Sequence, residues 1–322
     1  MELLVRKQLV LYSGSSHPEL AEDVSKLLDV NLGDVDIHRF LNGEIYVRFL
    51  ESVRGSDVFV IQTHVTPVNE HIMETLVMLD ALKRASAARI TIVLPFYPYS
   101  RMDQKTLARE PISAKLMADL LHTAGADRVI STDLHAGQIQ AFFNFPFDHL
   151  TTRPLLVDYL AKEIGGDMML VSPDAGRAKL VDKFANALGA PLAILHKRRD
   201  PNRHNVSETL DVVGDVQGRR CVLVDDIIET AGTLCDAARV LAEHGAAEVY
   251  AVATHAVLSG PAVDRLRNSV IKKVVVTNSL PIAPEKRFEK LDVVSIAPVI
   301  ADAIRAVFED ESVSSIFGGD NA

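Results

Sequence analysis

The chain has 322 residues, of which 48% are hydrophobic and 24% charged, and its formal net charge is −9. This length predicts about two domains, each large enough to bury its own core. The acidic balance argues against general binding to nucleic acid or to an anionic membrane surface. No apolar run reaches the roughly 18 residues that a membrane span needs. Two cysteines, Cys221 and Cys235, make neither a metal spacing nor a disulfide framework. With no signal cleavage site in the opening residues, we expect a cytoplasmic protein.

One kind of unit recurs along the chain: a helix ends in small residues, turns, and enters a β-branched strand. It occurs at 81–97, 120–135, 182–199 and 240–255. Helices of about 12 residues alternating with short apolar strands predict a parallel sheet covered by helices on both faces. The stretches that begin at 57 and at 221 also share the order strand, loop, helix, strand. We therefore expect two similar α/β domains.

The segment 143–160 is the candidate boundary, because Pro146 and Pro154 flank a polar turn before a new helix. We expect a first domain over 1–150 and a second over 151–299. The last helix, 297–310, is expected to pack back on the first domain, so that 300–322 belong with it.

The stretch VLVDDIIETAGTL, residues 222–234, carries the sharpest chemical signal. Asp225 and Asp226 are predicted at the carboxyl end of a short buried strand, where ligands of open α/β sheets bind. The small-residue turn 229–233 then presents N–H groups and threonine hydroxyls at a helix N-terminus, which favours a phosphate. Carboxylates repel a phosphate but accept hydrogen bonds from hydroxyls, so the combination indicates a sugar phosphate. The alternative is that the acids only cap the helix.

For other candidate site residues, the sequence alone leaves both a functional and a purely structural interpretation open. Phe40 could be a core residue, and Arg101 and Lys105 could be ordinary solvated side chains. His135 could be a satisfied histidine next to a strand end. The basic run after the predicted strand LAILH, with Lys197 and Arg199, is either a solvated loop or a site for an anionic group. Neither a Walker A loop nor a dinucleotide-binding fingerprint occurs in the chain.

Residues 222–234 resemble the phosphoribosyl pyrophosphate loop of the type I phosphoribosyltransferase fold. Further motifs match in order the family of ribose-phosphate pyrophosphokinases, over nearly the whole chain. They are YSGSSHPELAEDV, RFLNGEIYVRF, LPFYPYSRMDQK, EPISAKLMADLL, DLHAGQIQAFF, VSPDAG, LHKRR and VGDVQGRRCVLVDDIIETAGTL. The resemblance implies two similar domains of that fold, each a parallel sheet flanked by helices. It also implies transfer of the diphosphoryl group of Mg·ATP to the 1-hydroxyl of ribose 5-phosphate, giving phosphoribosyl pyrophosphate and AMP for nucleotide, histidine and tryptophan biosynthesis.

The resemblance also assigns roles to residues. It makes Lys197 and Arg199 the catalytic cations of a mobile lid. The implied ATP contacts are Phe40, Asn42, Glu44, Arg101, Asp103 and Lys105. The implied Mg²⁺ contacts are His135 and Asp174. The implied ribose 5-phosphate contacts are Asp225, Asp226, Glu229, Thr230, Ala231, Gly232 and Thr233.

The segment 51–57 resembles a regulatory site of the phosphate-activated class, in which Ser52 and Arg54 would bind phosphate as activator and ADP as inhibitor. The family implies a homohexamer with an ATP site shared between subunits. The chain departs from the family at Met102, where glutamine is common, and at Gln104, where a basic residue is common. Two alternatives stay open: a base-transferring phosphoribosyltransferase, and a non-catalytic regulatory homologue that would have lost the lid cations or His135.

Overall fold

The computed structural model describes residues 7–198 and 209–317, and it divides into two compact units. Unit 1 comprises Met1–Thr151, Ser279–Pro281 and Ile296–Ala322, and unit 2 comprises Thr152–Asn278 and Ile282–Ser295. The division at Thr151/Thr152 lies one residue from the expected boundary. Ser279–Pro281, which the sequence assigned to the second domain, belongs to unit 1, and the chain returns there from Ile296 rather than from residue 300.

Unit 1 is built on a five-stranded, all-parallel sheet in the order β1-β4-β5-β6-β7, with a separate antiparallel hairpin, β2-β3. Its elements before residue 152 are β1 Leu9–Ser13, α1 Pro18–Leu28, β2 Val35–Arg39, β3 Ile45–Phe49, β4 Asp57–Ile61, α2 Val68–Arg84, β5 Arg89–Leu94, α3 Ser113–Ala124, β6 Arg128–Thr132 and β7 Phe147–Leu150. All five residues of β4 are buried, as expected for a strand covered on both faces.

Unit 2 has a seven-stranded sheet in the order β10-β9-β8-β11-β12-β13-β14. Its elements are α4 Arg153–Tyr159, continued by one π turn over Leu160–Ile164, β8 Met168–Ser172, α5 Ala178–Leu188, β9 Leu192–Arg198, β10 Thr209–Val213, β11 Arg220–Ile228, α6 Gly232–Glu243, β12 Glu248–Ala256, α7 Ala262–Asn268, β13 Ile271–Thr277 and β14 Leu291–Val294. The sheet is parallel except at its edge, where β10 runs antiparallel to β9.

Helices cover both faces of this second sheet, and β11 shows why. Cys221 and Leu223 pack into one hydrophobic cluster, with residues of α6 and α7. Val222 and Val224 pack into another, with residues of α4 and α5. Successive strand side chains point to opposite faces, so an uninterrupted apolar run requires cover on each. The prediction of α/β domains with helix-flanked parallel sheets is confirmed; the antiparallel edge strand β10 and the hairpin β2-β3 were not predicted.

The last helix, α8 Ala297–Phe308, packs against α1 of unit 1. Arg305 Nη2 donates to the Leu27 carbonyl at 3.1 Å. Beyond the helix, Asp310 forms ion pairs with Lys7 at 2.8 Å and with Arg89 at 3.0 Å. These contacts tie α8 and the residues after it to α1, to the chain just before β1 and to the start of β5.

Candidate active site

The acid pair of unit 2 lies inside a strand. The sequence predicted a short strand, CVLV, with Asp225 and Asp226 at its carboxyl end, but β11 continues to Ile228. The reason is asymmetric pairing: β11 pairs with β8 only as far as Leu223, whereas its pairing with β12 runs on to Ile228. The two aspartates therefore occupy a stretch held by β12 but no longer by β8. Their backbone is fixed by the sheet at the carboxyl end where ligands bind in this class of fold.

Arg177 forms ion pairs with both carboxylates. Its Nε lies 3.3 Å from Asp225 Oδ1, and its Nη2 lies 3.0 Å from Asp226 Oδ1. The side chains of Arg177 and Asp226 are 18% and 6% exposed, so these contacts are only partly screened by water. Burial, together with a hydrogen bond and the negative charge of Asp226, raises the pKa of Asp225 well above its usual range, while Arg177 opposes the rise. Arg177 thus places its positive charge between two neighbouring acids.

Arg177 was not among the site residues predicted from the sequence. The only available signal was its place as the first basic residue after VSPDAG, three positions past Asp174. Asp174 follows β8 and caps a 3₁₀ turn, Ala175–Arg177, by accepting a hydrogen bond from the Arg177 N–H at 3.0 Å. The cap places the start of the Arg177 side chain, which then reaches β11. Through Arg177, the structure brings Asp174 close to the acid pair in unit 2.

The predicted phosphate turn connects β11 directly to α6. Glu229 and Thr230 follow the strand, Ala231 adopts a left-handed conformation at φ 58°, and the helix begins at Gly232. Thr230 and Thr233 are exposed, whereas Ala231 is buried. No side chain caps the N-terminus of α6, and its first turn contains no acidic residue. A helix N-terminus of this composition favours an anion by its dipole and by its N–H groups.

In unit 1, the residues around Phe40 form the tip of the hairpin β2-β3. Arg39 pairs with Ile45, the Phe40 N–H donates to the Glu44 carbonyl at 2.8 Å, and the Glu44 N–H donates to Asn42 Oδ1 at 3.2 Å. Phe40 is 50% exposed, so the core interpretation of this residue is wrong. Its ring makes edge contacts with His38 and Tyr46, at centroid distances of 5.7 and 6.0 Å. The hairpin therefore presents Phe40, Asn42 and Glu44 on one turn.

The segment after β5 holds Arg101, Asp103 and Lys105 in a loop. Asp103 is buried and its Oδ2 accepts a hydrogen bond from Gln138 Nε2 at 2.7 Å. Gln138 belongs to a 3₁₀ turn, Gly137–Phe142, that begins two residues after His135. This bond brings the Arg101 loop and the His135 loop together at the end of the unit 1 sheet. Arg101 and Lys105 are exposed, as are the two unusual residues Met102 and Gln104.

The predicted lid cations begin on a strand. β9 extends through Arg198, so Lys197 lies in the sheet rather than after it, paired with Leu210 of β10. The physical reason is that β10 provides an antiparallel partner, which was not predicted from the sequence. Arg199 lies outside the described residues, as does the side chain of Lys197. The predicted regulatory residues lie elsewhere: Ser52 and Arg54 are exposed in unit 1, and Arg54 Nη1 donates to Ser86 Oγ at 3.3 Å.

Metal-binding potential is sparse in the described residues. No group of three or more histidine, cysteine, aspartate or glutamate side chains is placed to hold a metal ion across 7–198 and 209–317. His135 is in unit 1 and Asp174 is in unit 2.

In the described part of the chain, no helix has the length and apolar character that a membrane crossing requires.

Both sheets and the acid-pair loop define an enzyme of the two-domain type I phosphoribosyltransferase-like class. Comparison with known proteins identifies the family within this class. A family model described as the N-terminal domain of ribose phosphate pyrophosphokinase matches residues 9–125. A second, described as the phosphoribosyl synthetase-associated domain, matches residues 201–318. The chain belongs to the ribose-phosphate pyrophosphokinase family.

Individual relatives extend over nearly the full length. Ribose-phosphate pyrophosphokinase of Streptomyces coelicolor is 54% identical over 312 residues, which cover 97% of this chain and 96% of the relative. The enzyme of Mycobacterium tuberculosis is 54% identical over 317 residues, covering 98% and 97%. The crystal structure of phosphoribosylpyrophosphate synthetase from Mycobacterium smegmatis matches with a TM-score of 0.90 and 52% identity, over 94% of this chain and all of that one. The expected family is confirmed, and these matches favour neither alternative, the base-transferring enzyme nor the regulatory homologue.

Proposed function

We propose that the protein transfers the diphosphoryl group of ATP to the 1-hydroxyl of ribose 5-phosphate, giving phosphoribosyl pyrophosphate and AMP for nucleotide, histidine and tryptophan biosynthesis. The observation that carries the proposal is the combination around the end of β11: two adjacent carboxylates, a partly buried arginine that reaches them from the turn after β8, and an uncapped helix N-terminus. Hydroxyl groups of the ribose donate to Asp225 and Asp226, each of which accepts more hydrogen bonds than Arg177 can supply. The 5-phosphate binds at the turn Glu229–Thr233.

The nucleotide contacts are on unit 1. The exposed ring of Phe40 offers a face on which adenine can stack, with Asn42 and Glu44 on the same turn. Arg101 and Lys105, exposed on a loop anchored by Asp103, supply cations for the triphosphate oxygens. Met102 and Gln104 are exposed on that loop, so the unusual side chains can change nucleotide affinity without disturbing the core.

Mg²⁺ fits the donor set. Magnesium retains several waters and takes one or two carboxylates together with substrate phosphates, so it needs few protein ligands, and Asp174 of unit 2 can supply one carboxylate. His135, which lies in unit 1, stays a predicted contact of the magnesium nucleotide. Asp174 is exposed, and the hydrogen bond to Arg177 uses its Oδ1. When bound, the ion would neutralise charge on the phosphates. The chain itself contributes cations: Lys197 and Arg199 stabilise the negative charge on the β-phosphoryl oxygens as the ribose hydroxyl attacks.

The proposal extends to assembly and regulation. We propose a cytoplasmic homohexamer in which a neighbouring subunit completes the ATP site, and in which Ser52 and Arg54 bind phosphate or ADP. Support comes from family membership and from the exposure of the Phe40 hairpin and of Arg54. Ser52 and Arg54 lie far in sequence from the acid pair, so a substitution there should change the response to phosphate or ADP without abolishing the reaction.

The decisive experiment is product analysis. Purified protein is incubated with Mg·ATP and ribose 5-phosphate, and AMP and phosphoribosyl pyrophosphate are quantified by chromatography. Equimolar formation of both products is expected, and neither product should form without ribose 5-phosphate. Formation of ADP instead of AMP, or a requirement for a nucleobase, would refute the proposal.

A further inference from the structure

Three consecutive carbonyl groups, those of Ile228, Glu229 and Thr230 between β11 and α6, accept hydrogen bonds from the same side. The carbonyls of Ile228 and Glu229 accept hydrogen bonds from the backbone N–H groups of Leu258 and Ser259, at 3.0 and 2.9 Å. The third carbonyl, that of Thr230, accepts from Arg265 Nη1 at 3.0 Å. The donors all belong to the segment 258–265, which runs from the end of β12 into α7.

This arrangement fixes the direction of the N–H groups. In a planar trans peptide the C=O and N–H bonds point in opposite directions. Within the described residues the cis peptide is confined to Thr66–Pro67, so the loop peptides are trans. The N–H groups of Glu229, Thr230 and Ala231 therefore point away from the segment 258–265. Successive N–H groups that share a direction form an anion-binding concavity, which α6 continues with its own first N–H groups.

The Thr230–Ala231 peptide is the least secured of the three. The first two carbonyls are bound by backbone donors, but the third depends on a side chain. Ala231 also has φ 58°, a left-handed conformation that is unfavourable for a residue with a Cβ. The hydrogen bond from Arg265 opposes relaxation of that conformation. The guanidinium lies close over the turn: Arg265 Nη1 would be 3.3 Å from a Cβ placed on Gly232.

The guanidinium of Arg265 contacts the turn at the N-terminal end of α6, although Arg265 itself belongs to the last turn of α7, where a cation is favoured. Cations are disfavoured near the positive N-terminal end of a helix dipole, and this side chain contacts the turn that begins α6. Its neighbour on α7, Arg267, pairs with Asp264, but no carboxylate in the described part of the chain pairs with Arg265. A bound phosphate would be attracted by both the cation and the helix end.

We propose that Arg265 is a positioning residue for the substrate phosphate: by binding the Thr230 carbonyl it holds the Thr230–Ala231 peptide with its N–H group directed at the 5-phosphate of ribose 5-phosphate. This inference rests on the proposed function. It makes Arg265 act through the loop and not on the reacting atoms. Loss of Arg265 should therefore affect ribose 5-phosphate and not ATP, because the proposed ATP contacts are on unit 1 and do not depend on the Thr230–Ala231 peptide.

The test compares Arg265→Met with Arg265→Lys and uses Arg267→Met as the matched control. Met keeps an unbranched, flexible side chain but has no donor, and Lys keeps a charged donor. In full-length protein, Arg265→Met should raise the KM for ribose 5-phosphate about ten- to hundredfold, the range expected for one charge-assisted hydrogen bond. The KM for ATP should stay within about twofold. Arg265→Lys should recover most of the loss, and Arg267→Met should match wild type.

Arg265→Gln is a second variant that should lose the hydrogen bond to the Thr230 carbonyl. The exposed position tolerates a polar side chain, but the glutamine amide ends about two atoms short of the arginine Nη1 that makes this bond. Arg265→Gln keeps the test decisive if Arg265→Met fails to fold. Unchanged ribose 5-phosphate kinetics in the loss variants, parallel losses for ATP, or no recovery with Lys would overturn the proposal. Asp226→Asn separates the two levels of inference. If it weakens ribose 5-phosphate while the Arg265 variants do not, only the role of Arg265 fails; if it too has no effect, the proposed sugar site fails.

Discussion

Replacing Arg177 by Met tests the electrostatics of the acid pair. Arg177 lies within ion-pair distance of both Asp225 and Asp226, and removing it leaves two adjacent carboxylates without that cation. Burial and the charge of Asp226 already raise the pKa of Asp225, and Arg177 opposes this effect. The substitution should raise the pKa of the pair further, so the native state should bind protons over a wider pH range than the unfolded chain does.

The magnitude follows from exposure. Breaking a fully buried ion pair costs about 3–5 kcal/mol, whereas an exposed pair contributes about 0–1 kcal/mol. The side chains of Arg177, Asp225 and Asp226 are 18%, 27% and 6% exposed, which places this contact between the two limits. We expect a loss of about 2 kcal/mol at the alkaline end, or a Tm lower by about 6 °C for a unit of this size.

The sign of the pH dependence is specific. A carboxyl whose folded pKa lies above its unfolded value, about 3.9, destabilises the native state as pH rises through that interval. Thermal unfolding of Arg177→Met, followed by circular dichroism, should therefore show a small loss near about pH 5 and a larger loss near about pH 8. The double variant Arg177→Met/Asp225→Asn, which removes one of the two charges, should recover stability at the higher pH. Equal losses at both pH values, or no recovery in the double variant, would refute the reasoning.

Three further predictions concern catalysis and regulation. Lys197→Ala should lower kcat roughly 10²–10⁴-fold with smaller changes in KM, because its charge acts mainly in the transition state; near-normal turnover in steady-state assays would exclude this role. Asp226→Asn should weaken ribose 5-phosphate much more than ATP, by about 1.5–3 kcal/mol per charged hydrogen bond lost, and calorimetry that finds equal losses would indicate a structural role. Arg54→Ala should keep basal activity but shift the phosphate and ADP response curves by about 5–150-fold; initial rates against each effector check this, and unchanged curves would leave Arg54 as a turn residue.

The sequence by itself determined the fold class and the succession of strand, acid pair, turn and helix that begins at Cys221. Both rest on local patterns: β-branched strands alternating with helices, and an apolar run followed by two acids, a small-residue turn and a helix. Such patterns are read from neighbouring residues, and the elements they predicted are present. The motif order was sufficient to identify the family.

Only the tertiary structure decided which distant residues meet. Arg177 reaches the acid pair because β8 and β11 are neighbours in the sheet, and Arg265 reaches Thr230 because α7 follows the strand next to β11. A lone arginine on a helix or turn carries no local signal of its partner. Lys197 lies in a strand because of its antiparallel partner β10, and Phe40 is exposed because its hairpin stands apart from the parallel sheet. Strand pairing between separated segments depends on the packing of the whole unit, and no short stretch of sequence encodes it.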